Sequence, residues 1–192
     1  ERTRRLLSRF RGDLLVLYAD APLTRLESLR RLAATHRQTG AAATLLTAEL
    51  DEPGSYGRVK RNGDGSVHAI VEHAEATEDE RAIREVNIGH ACFDARRLFA
   101  TLRSVRPSRV KREYYLTDVI GRLAMERPGG VQAVQAQEAS EAMGINSRKE
   151  LAQAAAVMRQ RILERLMAQG VTIIDPANTW IEVGVTIGQD TT

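Results

Sequence analysis

The stretch DLLVLYADAPLT, residues 13–24, constrains the fold more than any other part of the sequence. Residues 14–18 are almost wholly apolar, a pattern typical of a strand buried on both faces of a mostly parallel sheet. Asp20 follows at the point where this strand leaves the core. Thr24 and Glu27 then have the spacing of a capping box, which predicts that a helix begins there. Strand, acidic turn and helix together predict an α/β fold, in which ligands bind beyond the carboxyl ends of the strands.

The composition fits one globular domain, or one domain with part of another, since the chain has 192 residues, of which 43% are hydrophobic and 28% are charged. No apolar run approaches the roughly 20 residues that a membrane-spanning helix needs, and no signal peptide is recognisable. The single cysteine, Cys92, excludes an internal disulfide framework, and we therefore expect a cytoplasmic protein. The arginine-rich residues 1–13 are predicted to be the solvated end of a helix. They form no basic stripe interleaved with aromatic residues, so we expect no nucleic-acid partner. Because no apolar run is long enough to span a bilayer, we expect no membrane partner.

The middle of the sequence alternates between helix and strand patterns. Helical spacing of apolar residues continues to Gly40, and the turn sequence Asn62-Gly63-Asp64-Gly65 predicts a hairpin. Strands are predicted over residues 41–50, 86–93 and 131–137, and helices over residues 74–83, 94–105 and 114–127.

A long helix and a change of composition mark the C-terminal part. Ser147 and Glu150 form a second capping box, and Gly170 ends the helix that this box opens. The predicted apolar face of that helix comprises Leu151, Ala155, Met158, Ile162 and Leu166. After the helix the chain is rich in β-branched residues, and Ile181 and Ile187 have the six-residue spacing of a hexapeptide β-helix repeat.

Two residues with side-chain oxygens are candidate metal ligands. Asp20, at a strand end, suits Mg²⁺, which is held by one or two protein oxygens while substrate phosphates fill other positions; alternatively, Asp20 shapes the turn before Pro22. Asn146 either caps the long helix or, because Ser147 can do so, keeps its amide oxygen for a ligand or a metal.

Five further residues are candidates for binding a ligand. Glu72 closes a strand, where its carboxylate either accepts hydrogen bonds from sugar hydroxyls or is simply solvated. Asn87 either serves a sugar or acetamido group through its amide or belongs to a bulge in its strand. Gly57 either lets a ligand approach the backbone or relaxes a bend. Tyr115 and Thr117 are candidates for lining a pocket; alternatively, Tyr115 packs in the interior together with Tyr114.

The motifs that contain these residues occur in one order: LYADAPL, YGRV, IVEHAEAT, EVNIG, EYYLTD and GINSRKEL. In order and spacing, from about Asp13 to the end of the chain, they resemble one bacterial family, the bifunctional N-acetylglucosamine-1-phosphate uridyltransferase / glucosamine-1-phosphate acetyltransferases. The resemblance implies a partial Rossmann-like nucleotidyltransferase domain over residues 1–147. It also implies a linker helix over residues 148–169 and the first coil of a left-handed parallel β-helix over residues 170–192.

The resemblance further implies an activity and roles for particular residues. The family uses Mg²⁺ to transfer a uridylyl group from UTP to N-acetylglucosamine 1-phosphate, giving UDP-N-acetylglucosamine and pyrophosphate for cell-wall precursor synthesis. Its β-helix half uses acetyl-CoA and implies a homotrimer. Asp20 and Asn146 match the metal ligands, and no residue matches a catalytic nucleophile. The substrate-binding positions that match are Tyr18, Ala19, Asp20, Gly57, Glu72, Asn87, Tyr115, Thr117 and Asn146.

The sequence departs from the family pattern at three points. Ala19 stands where the family usually has glycine, and Ile88 replaces a small or polar residue. The Gly-rich nucleotide loop, the residues that read uracil and the acetyltransferase active site are not found in these 192 residues, so we expect an internal fragment that is inactive by itself. A nucleotidyltransferase for another sugar phosphate or nucleotide, and a non-catalytic assembly or regulatory relative, are the alternative interpretations.

Overall fold

The computed structural model describes residues 6–7, 9–108 and 110–192. Its helices are α1 (Leu26–Thr39), α2 (Glu78–Arg81), α3 (Ala95–Thr101), α4 (Asp118–Glu126) and α5 (Arg148–Ala168), and a 3₁₀ turn spans Ala139–Ala142. Its strands are β1 (Asp13–Val16), β2 (Ala43–Glu49), β3 (Arg58–Arg61), β4 (Val67–Val71), β5 (Glu85–Asp94) and β6 (Val131–Gln135). The helix end predicted over residues 1–13 falls in part on residues 1–5 and 8, which lie outside the described residues.

The elements with strong local signals form as predicted. The hairpin of β3 and β4 closes through hydrogen bonds of 2.9 Å from the Gly65 N–H to the Asn62 carbonyl and from the Asn62 N–H to the Ser66 carbonyl. Gly65 adopts a φ of 82°, which a residue with a Cβ rarely adopts. Helix α1 ends at Gly40, whose φ of 57° is that of a left-handed C-cap.

The capping box predicted at Thr24 and Glu27 is wrong. The N-cap of α1 is Arg25, and the Arg25 side chain makes no capping hydrogen bond. The acceptor comes from far along the chain, because the Arg25 N–H donates to the carboxylate of Glu141 at 2.9 Å. That distant carboxylate replaces the local cap that the sequence pattern predicts.

The sheet is mixed, with strand order β4-β3-β5-β2-β6 and with β1 paired to β5. The expectation of a mostly parallel sheet is wrong for the described residues, because β2 and β6 are parallel whereas the other pairs are antiparallel. The expectation that the strand over residues 14–18 is buried on both faces is also wrong. Leu15 of β1 and Leu17, just after it, are 44% and 51% exposed, so no packed layer covers the face on which these two side chains lie.

Strand β5 carries a gap along one of its edges. Strand β1 pairs with residues 91–94 of β5, and β3 pairs with β5 at Val86, so neither strand covers that edge over residues 87–90. Along the other edge β2 follows both halves of β5, and the register shifts between Leu45 and Thr47. Gly89 lies inside the irregular stretch with a φ of 99°. One of the two interpretations of Asn87, a bulge in its strand, agrees with this irregular register, which coincides with a break between two neighbouring strands.

Helices cover both faces of this sheet. Leu46 of β2 and Val86 pack with Leu32 of α1 in one apolar cluster. Leu45, the residue before Leu46 in β2, points to the opposite face and packs with Leu123 of α4 in the other cluster. Full burial of each such side chain contributes about 1.5–3 kcal/mol, so these two layers hold the sheet from which the site residues project.

The chain divides into two compact units. One contains the sheet and consists of residues up to Ala19 together with residues 24–142. The other consists of Asp20–Leu23 and Met143–Thr192. Among the described residues, no helix is both long and apolar enough to cross a membrane.

The second unit is organised by α5. Ser147 caps this helix as predicted, because its hydroxyl oxygen accepts the Glu150 N–H at 3.2 Å. Arg161 donates to the Leu23 carbonyl at 2.6 Å, and the Arg159 guanidinium lies 4.5 Å from the centre of the Trp180 ring.

The predicted apolar face of α5 is only partly buried. Leu166 is buried, whereas Leu151 and Met158 are 54% and 38% exposed. The buried positions of the helix are Ala154, Leu163 and Leu166. Within the unit, Leu23 and Trp180 contact α5 at Arg161 and Arg159, which lie in the C-terminal half of the helix. The helical spacing of apolar residues in the first half therefore does not by itself define a packed face.

The residues after α5 form a turn of chain that is closed by backbone hydrogen bonds. The Thr172 N–H donates to the Thr191 carbonyl at 2.8 Å, and the Asp190 N–H donates to the Gly170 carbonyl at 2.9 Å. Among residues 170–192, all of which the structure describes, no strand is formed. The predicted domain limits at residues 147 and 169 stay predictions.

Candidate functional site

The first group of candidate residues surrounds the gap along β5. The Asn87 N–H donates to the carbonyl of Gly57 at 2.9 Å, which joins the start of β3 to the gap. The side-chain oxygen of Asn87 accepts the Gly89 N–H at 3.2 Å. Its amide NH₂ has no partner within the described residues, so Asn87 can still donate to a ligand.

Glu72 lies beside Gly57. A Cβ added to Gly57 would lie 2.9 Å from Ile70 Cγ2 and 3.5 Å from Glu72 Oε2, so the position has no room for a side chain unless its neighbours move. Thr117 donates its hydroxyl to Glu72 Oε1 at 2.6 Å, and this bond fixes the carboxylate. Glu72, Thr117 and Gly57, which the sequence left as separate candidates, are thus brought together.

Arg58 fixes the backbone next to Gly57. Its guanidinium is 2% exposed and donates to the carbonyls of Gly54 at 2.9 Å and Arg81 at 3.3 Å, as well as to the carbonyl of Tyr56. Burial lowers the pKa of this guanidinium, with a smaller contribution from the charge of Arg81. A buried arginine that binds carbonyls holds the entry to β3 in one conformation.

Tyr18 approaches the gap from the end of β1. A Cβ on Gly89 would lie 2.6 Å from Tyr18 Cδ2, so the ring occupies the space that the glycine leaves open. The Tyr18 N–H donates to Nδ1 of His90 at 3.0 Å, and the two rings meet edge to face with centroids 6.5 Å apart. Tyr18 therefore lies at the gap together with Gly89, which its ring faces, and Asn87, which accepts the Gly89 N–H.

Two of the predicted residues show no such connection. Ala19 is exposed, and Tyr115 is half-buried. Within the described residues, the Tyr115 side chain makes no hydrogen bond to the other candidates. The structure therefore does not bring Ala19 and Tyr115 into the group around β5 by any specific contact.

Asp20 and Asn146 form a separate pair in the second unit. The N–H of Ile145, the residue before Asn146, donates to the carbonyl of Asp20 at 2.8 Å. This bond brings together residues at opposite ends of the sequence. Among the described residues, neither the Asp20 carboxylate nor the Asn146 amide has a hydrogen-bonding partner, and both residues are exposed. The Asp20 carboxylate and the Asn146 amide therefore offer free oxygen ligands of the hard type that Mg²⁺ prefers.

A metal at this pair would depend on other ligands as well. The described residues contain no group of three or more His, Cys, Asp and Glu side chains that could hold a metal ion. One carboxylate and one amide match a Mg²⁺ ion that keeps waters and binds substrate phosphates. The residues present therefore fit such an ion.

Sequence reasoning missed Glu141 and the role of His90. Glu141 is fully buried and its carboxylate accepts hydrogen bonds from Ser28 Oγ at 3.0 Å and from the N–H groups of Arg25, Gln137 and Glu138 at 2.9, 3.0 and 3.3 Å. Nothing in the local sequence marks this glutamate. His90 did give a signal, since a histidine inside the apolar run NIGHACF requires a polar partner in the interior.

The fold was compared with solved structures. A structure of apo UDP-glucose pyrophosphorylase matches with a TM-score of 0.62 at 14% identity, covering 83% of this chain and 58% of that protein. UDP-glucose pyrophosphorylase in complex with UDP-glucose matches with the same score of 0.62 at 12% identity, covering 83% and 60%. The chain therefore has the α/β Rossmann-like fold of these nucleotidyltransferases.

The sequence itself is closer to another group. Bifunctional protein GlmU of Pelotomaculum thermopropionicum is 46% identical over 185 residues, and that of Syntrophotalea carbinolica is 50% identical over 189 residues. The protein of the same name from Geobacillus thermodenitrificans is 48% identical over 186 residues. The chain is thus a homologue of the GlmU proteins, which confirms the resemblance of its motifs. The matches cover 96–97% of this chain, but the chain spans only about 40% of the length of these relatives. No family model matches the chain.

Proposed function

We propose that this chain is the sugar-phosphate-binding part of a Mg²⁺-dependent uridyltransferase. The reaction transfers a uridylyl group from UTP to N-acetylglucosamine 1-phosphate and gives UDP-N-acetylglucosamine and pyrophosphate for cell-wall precursor synthesis. The observation that carries the proposal is the chain of contacts from Tyr18 through Asn87 and Gly57 to Glu72 and Thr117. These residues come from distant parts of the sequence and meet around one gap in the sheet.

The groups around this gap suit a sugar that carries both hydroxyl and acetamido groups. Glu72 is an acceptor for hydroxyls and is held in place by Thr117. The Asn87 amide donates to a carbonyl such as that of an acetamido group. Gly57 lets the Glu72 carboxylate and Ile70 lie against the backbone, because a Cβ at this position would meet them.

Charge near Thr117 favours the sugar over its phosphate at this side. The Glu72 carboxylate accepts the Thr117 hydroxyl, and the carboxyl groups of Asp118 and Glu75 interact electrostatically beside it. Acidic groups disfavour a phosphate close by, whereas hydroxyls can donate to them. The phosphate therefore belongs away from Thr117.

Asp20 and Asn146 are the residues that would hold Mg²⁺. The ion supplies neutralisation of charge on the phosphates when it is bound. The backbone bond between Ile145 and Asp20 joins the two segments that carry these residues before any ligand arrives. The sugar phosphate oxygen attacks the α-phosphorus of UTP, and the role of the protein is to bind and orient the two substrates, so no protein nucleophile is needed. The one cysteine does not compete for that role, because it is buried and its thiol pKa is raised to about 11.

The rest of the proposed assignment follows the family. Residues 170–192 are the first coil of the left-handed β-helix, joined by α5 as a linker helix. The bonds that link Gly170 and Thr172 to Asp190 and Thr191 support a turn of chain that returns on itself. We further assign to the complete protein a cytoplasmic location, a homotrimer, and an acetyl-CoA-dependent acetylation of glucosamine 1-phosphate.

The test uses initial rates of pyrophosphate release in the enzyme completed with the segments that flank this region in its relatives. Asp20→Asn should reduce turnover by at least about 100-fold while leaving the circular dichroism spectrum unchanged, because it removes the charge that holds Mg²⁺. Asn146→Ala should reduce turnover less, and raised Mg²⁺ should partly restore it. The double mutant should be less impaired than the product of the single effects, since residues that act through one ion are non-additive.

The matched control is Asp51→Asn, which changes an exposed carboxylate that pairs with Arg84 at the surface. It should leave both the rate and its Mg²⁺ dependence unchanged. A folded Asp20→Asn enzyme with a wild-type rate and an unchanged Mg²⁺ dependence would reduce Asp20 to a turn residue and overturn the proposed mechanism.

A further inference from the structure

We propose that His90 is a positioning residue that fixes both ends of the segment carrying Asp20 and thereby orders the ligand-binding group around β5. This inference rests on the proposed function, because it assigns His90 a part in the binding of the sugar phosphate. His90 touches none of the reacting groups and acts through Tyr18 and Thr24.

The geometry places His90 between two points of one segment. The ring is 2% exposed on β5. The backbone N–H of Tyr18 donates to Nδ1 at 3.0 Å, and Nε2 lies 2.9 Å from the hydroxyl oxygen of Thr24. Asp20 lies between these two anchor points, two residues after Tyr18 and four before Thr24.

The hydrogen bonds fix the tautomer of the ring. A backbone N–H can only donate, so Nδ1 must be an unprotonated acceptor, and the ring proton then lies on Nε2. Nε2–H donates to the Thr24 hydroxyl oxygen, and that hydroxyl in turn donates to the carbonyl of Glu141 at 3.4 Å. Hydrogen bonds therefore run without interruption from the Tyr18 N–H through the His90 ring and the Thr24 hydroxyl to the Glu141 carbonyl. The neutral Nε2–H form of His90 supplies the acceptor and the donor that these bonds require.

The consequence for the site runs through Tyr18. Because the Tyr18 backbone is tied to His90, its ring is held against Gly89, whose N–H donates to the side chain of Asn87. A segment held at both ends also loses less conformational freedom when a ligand orders it. His90 thus connects the Asn87 side of the site with Tyr18 and Thr24.

Three substitutions separate the two bonds of the ring. In His90→Asn the amide oxygen can replace Nδ1 as acceptor, whereas in His90→Gln the amide NH₂ can replace Nε2–H as donor. His90→Leu removes both. The matched control is His68→Leu, which changes an exposed histidine on β4. Each protein is measured for affinity to N-acetylglucosamine 1-phosphate by calorimetry and for the exchange rate of the Tyr18 amide by NMR, with urea unfolding as the measure of stability.

We expect His90→Asn to keep a slow Tyr18 amide and an affinity within about threefold of the wild type. His90→Gln and His90→Leu should exchange the Tyr18 amide faster and bind about 3- to 10-fold more weakly, which is the effect of losing one hydrogen bond. The His68 control should behave as the wild type. Because Asn and Gln differ by one methylene and both keep a polar group in the interior, their comparison holds even where His90→Leu unfolds.

Equal affinities in His90→Asn, His90→Gln and the wild type would overturn the inference, and so would an unchanged Tyr18 amide in His90→Gln. A purely structural histidine would lower the free energy of unfolding without changing affinity in the folded fraction. Absence of binding by the wild type would instead overturn the proposed function. In that case the Tyr18 amide still decides whether His90 holds the segment, because its exchange is measured without ligand.

Discussion

Replacing Glu141 by glutamine should destabilise this protein far more than a nearly isosteric change normally does. The Glu141 carboxylate has no exposure, and its oxygens accept one hydroxyl and three backbone N–H groups. Oε1 accepts from Ser28, Gln137 and Glu138, whereas Oε2 accepts from the N–H of Arg25 at the start of α1.

The magnitude follows from where the amide must point. A glutamine carbonyl oxygen at the Oε1 position keeps its donors, but the NH₂ group then faces the Arg25 N–H, so two donors oppose each other. The loss of one hydrogen bond to a charged group costs about 1.5–3 kcal/mol, and a buried donor left unsatisfied costs about 1–3 kcal/mol. Because these effects overlap, we expect the free energy of unfolding to fall by about 2–4 kcal/mol. At about 2–4 °C per kcal/mol for a chain of this size, Tm should fall by on the order of 4–16 °C.

The assay is urea unfolding and thermal melting of the wild type, Glu141→Gln and Glu138→Gln. Glu138 lies three residues away and pairs with the Arg25 guanidinium, but its side chain is 43% exposed. An exposed ion pair contributes about 0–1 kcal/mol, so this control should change stability little. If Glu141→Gln lay within about 0.5 kcal/mol of the wild type, the buried carboxylate would not be what holds the start of α1.

Three further predictions concern Gly89, Cys92 and His36. Gly89→Ala should weaken binding of N-acetylglucosamine 1-phosphate because it displaces the Tyr18 ring, whereas Gly65→Ala, with a similar φ but open space, should only reduce stability; equal affinities would contradict this. Burial raises the pKa of the Cys92 thiol to about 11, so Ellman's reagent at pH 8 should label the native protein far more slowly than the urea-unfolded chain, and rapid labelling of the native form would refute it. Burial lowers the pKa of His36 below 6.5, so the unfolded state binds its proton more readily, and stability should fall as the pH falls below about 6.5. Urea unfolding at pH 7.5 and 5.5 should show a larger loss for the wild type than for His36→Gln; equal losses would assign the pH dependence to other groups.

The parts of the fold that depend on neighbours in sequence could be predicted. The Asn62-Gly63-Asp64-Gly65 turn, the Gly40 end of α1 and the Ser147 cap of α5 all form as expected, since their geometry is decided within a few residues. The cap of α1 could not be predicted, because its acceptor, Glu141, lies 116 residues from Arg25.

The candidate site likewise has a part that could be predicted from local sequence and a part that could not. That Glu72 and Asn87 are polar residues at or inside strand patterns is visible in the sequence, and the family resemblance supplied their roles. Their meeting around a gap could not be read, because the gap exists where β1 and β3 pair with different halves of β5. Pairing of strands distant in sequence leaves no local pattern, and this is also why the antiparallel character of the sheet was missed.

The hydrogen bond between Ile145 and Asp20 has a consequence for the timing of synthesis. About 125 residues separate its donor from its acceptor, and the unit that contains both is discontinuous in sequence. At about 5–20 residues per second on the ribosome, Asp20 is made on the order of 6–25 s before Ile145 exists. The sheet can begin to form during that interval, but the pair of Asp20 and Asn146 is completed only afterwards. A nascent chain halted just before residue 145 therefore contains all six strands of the sheet and Asp20, but it lacks Asn146 and the backbone bond that joins the two segments.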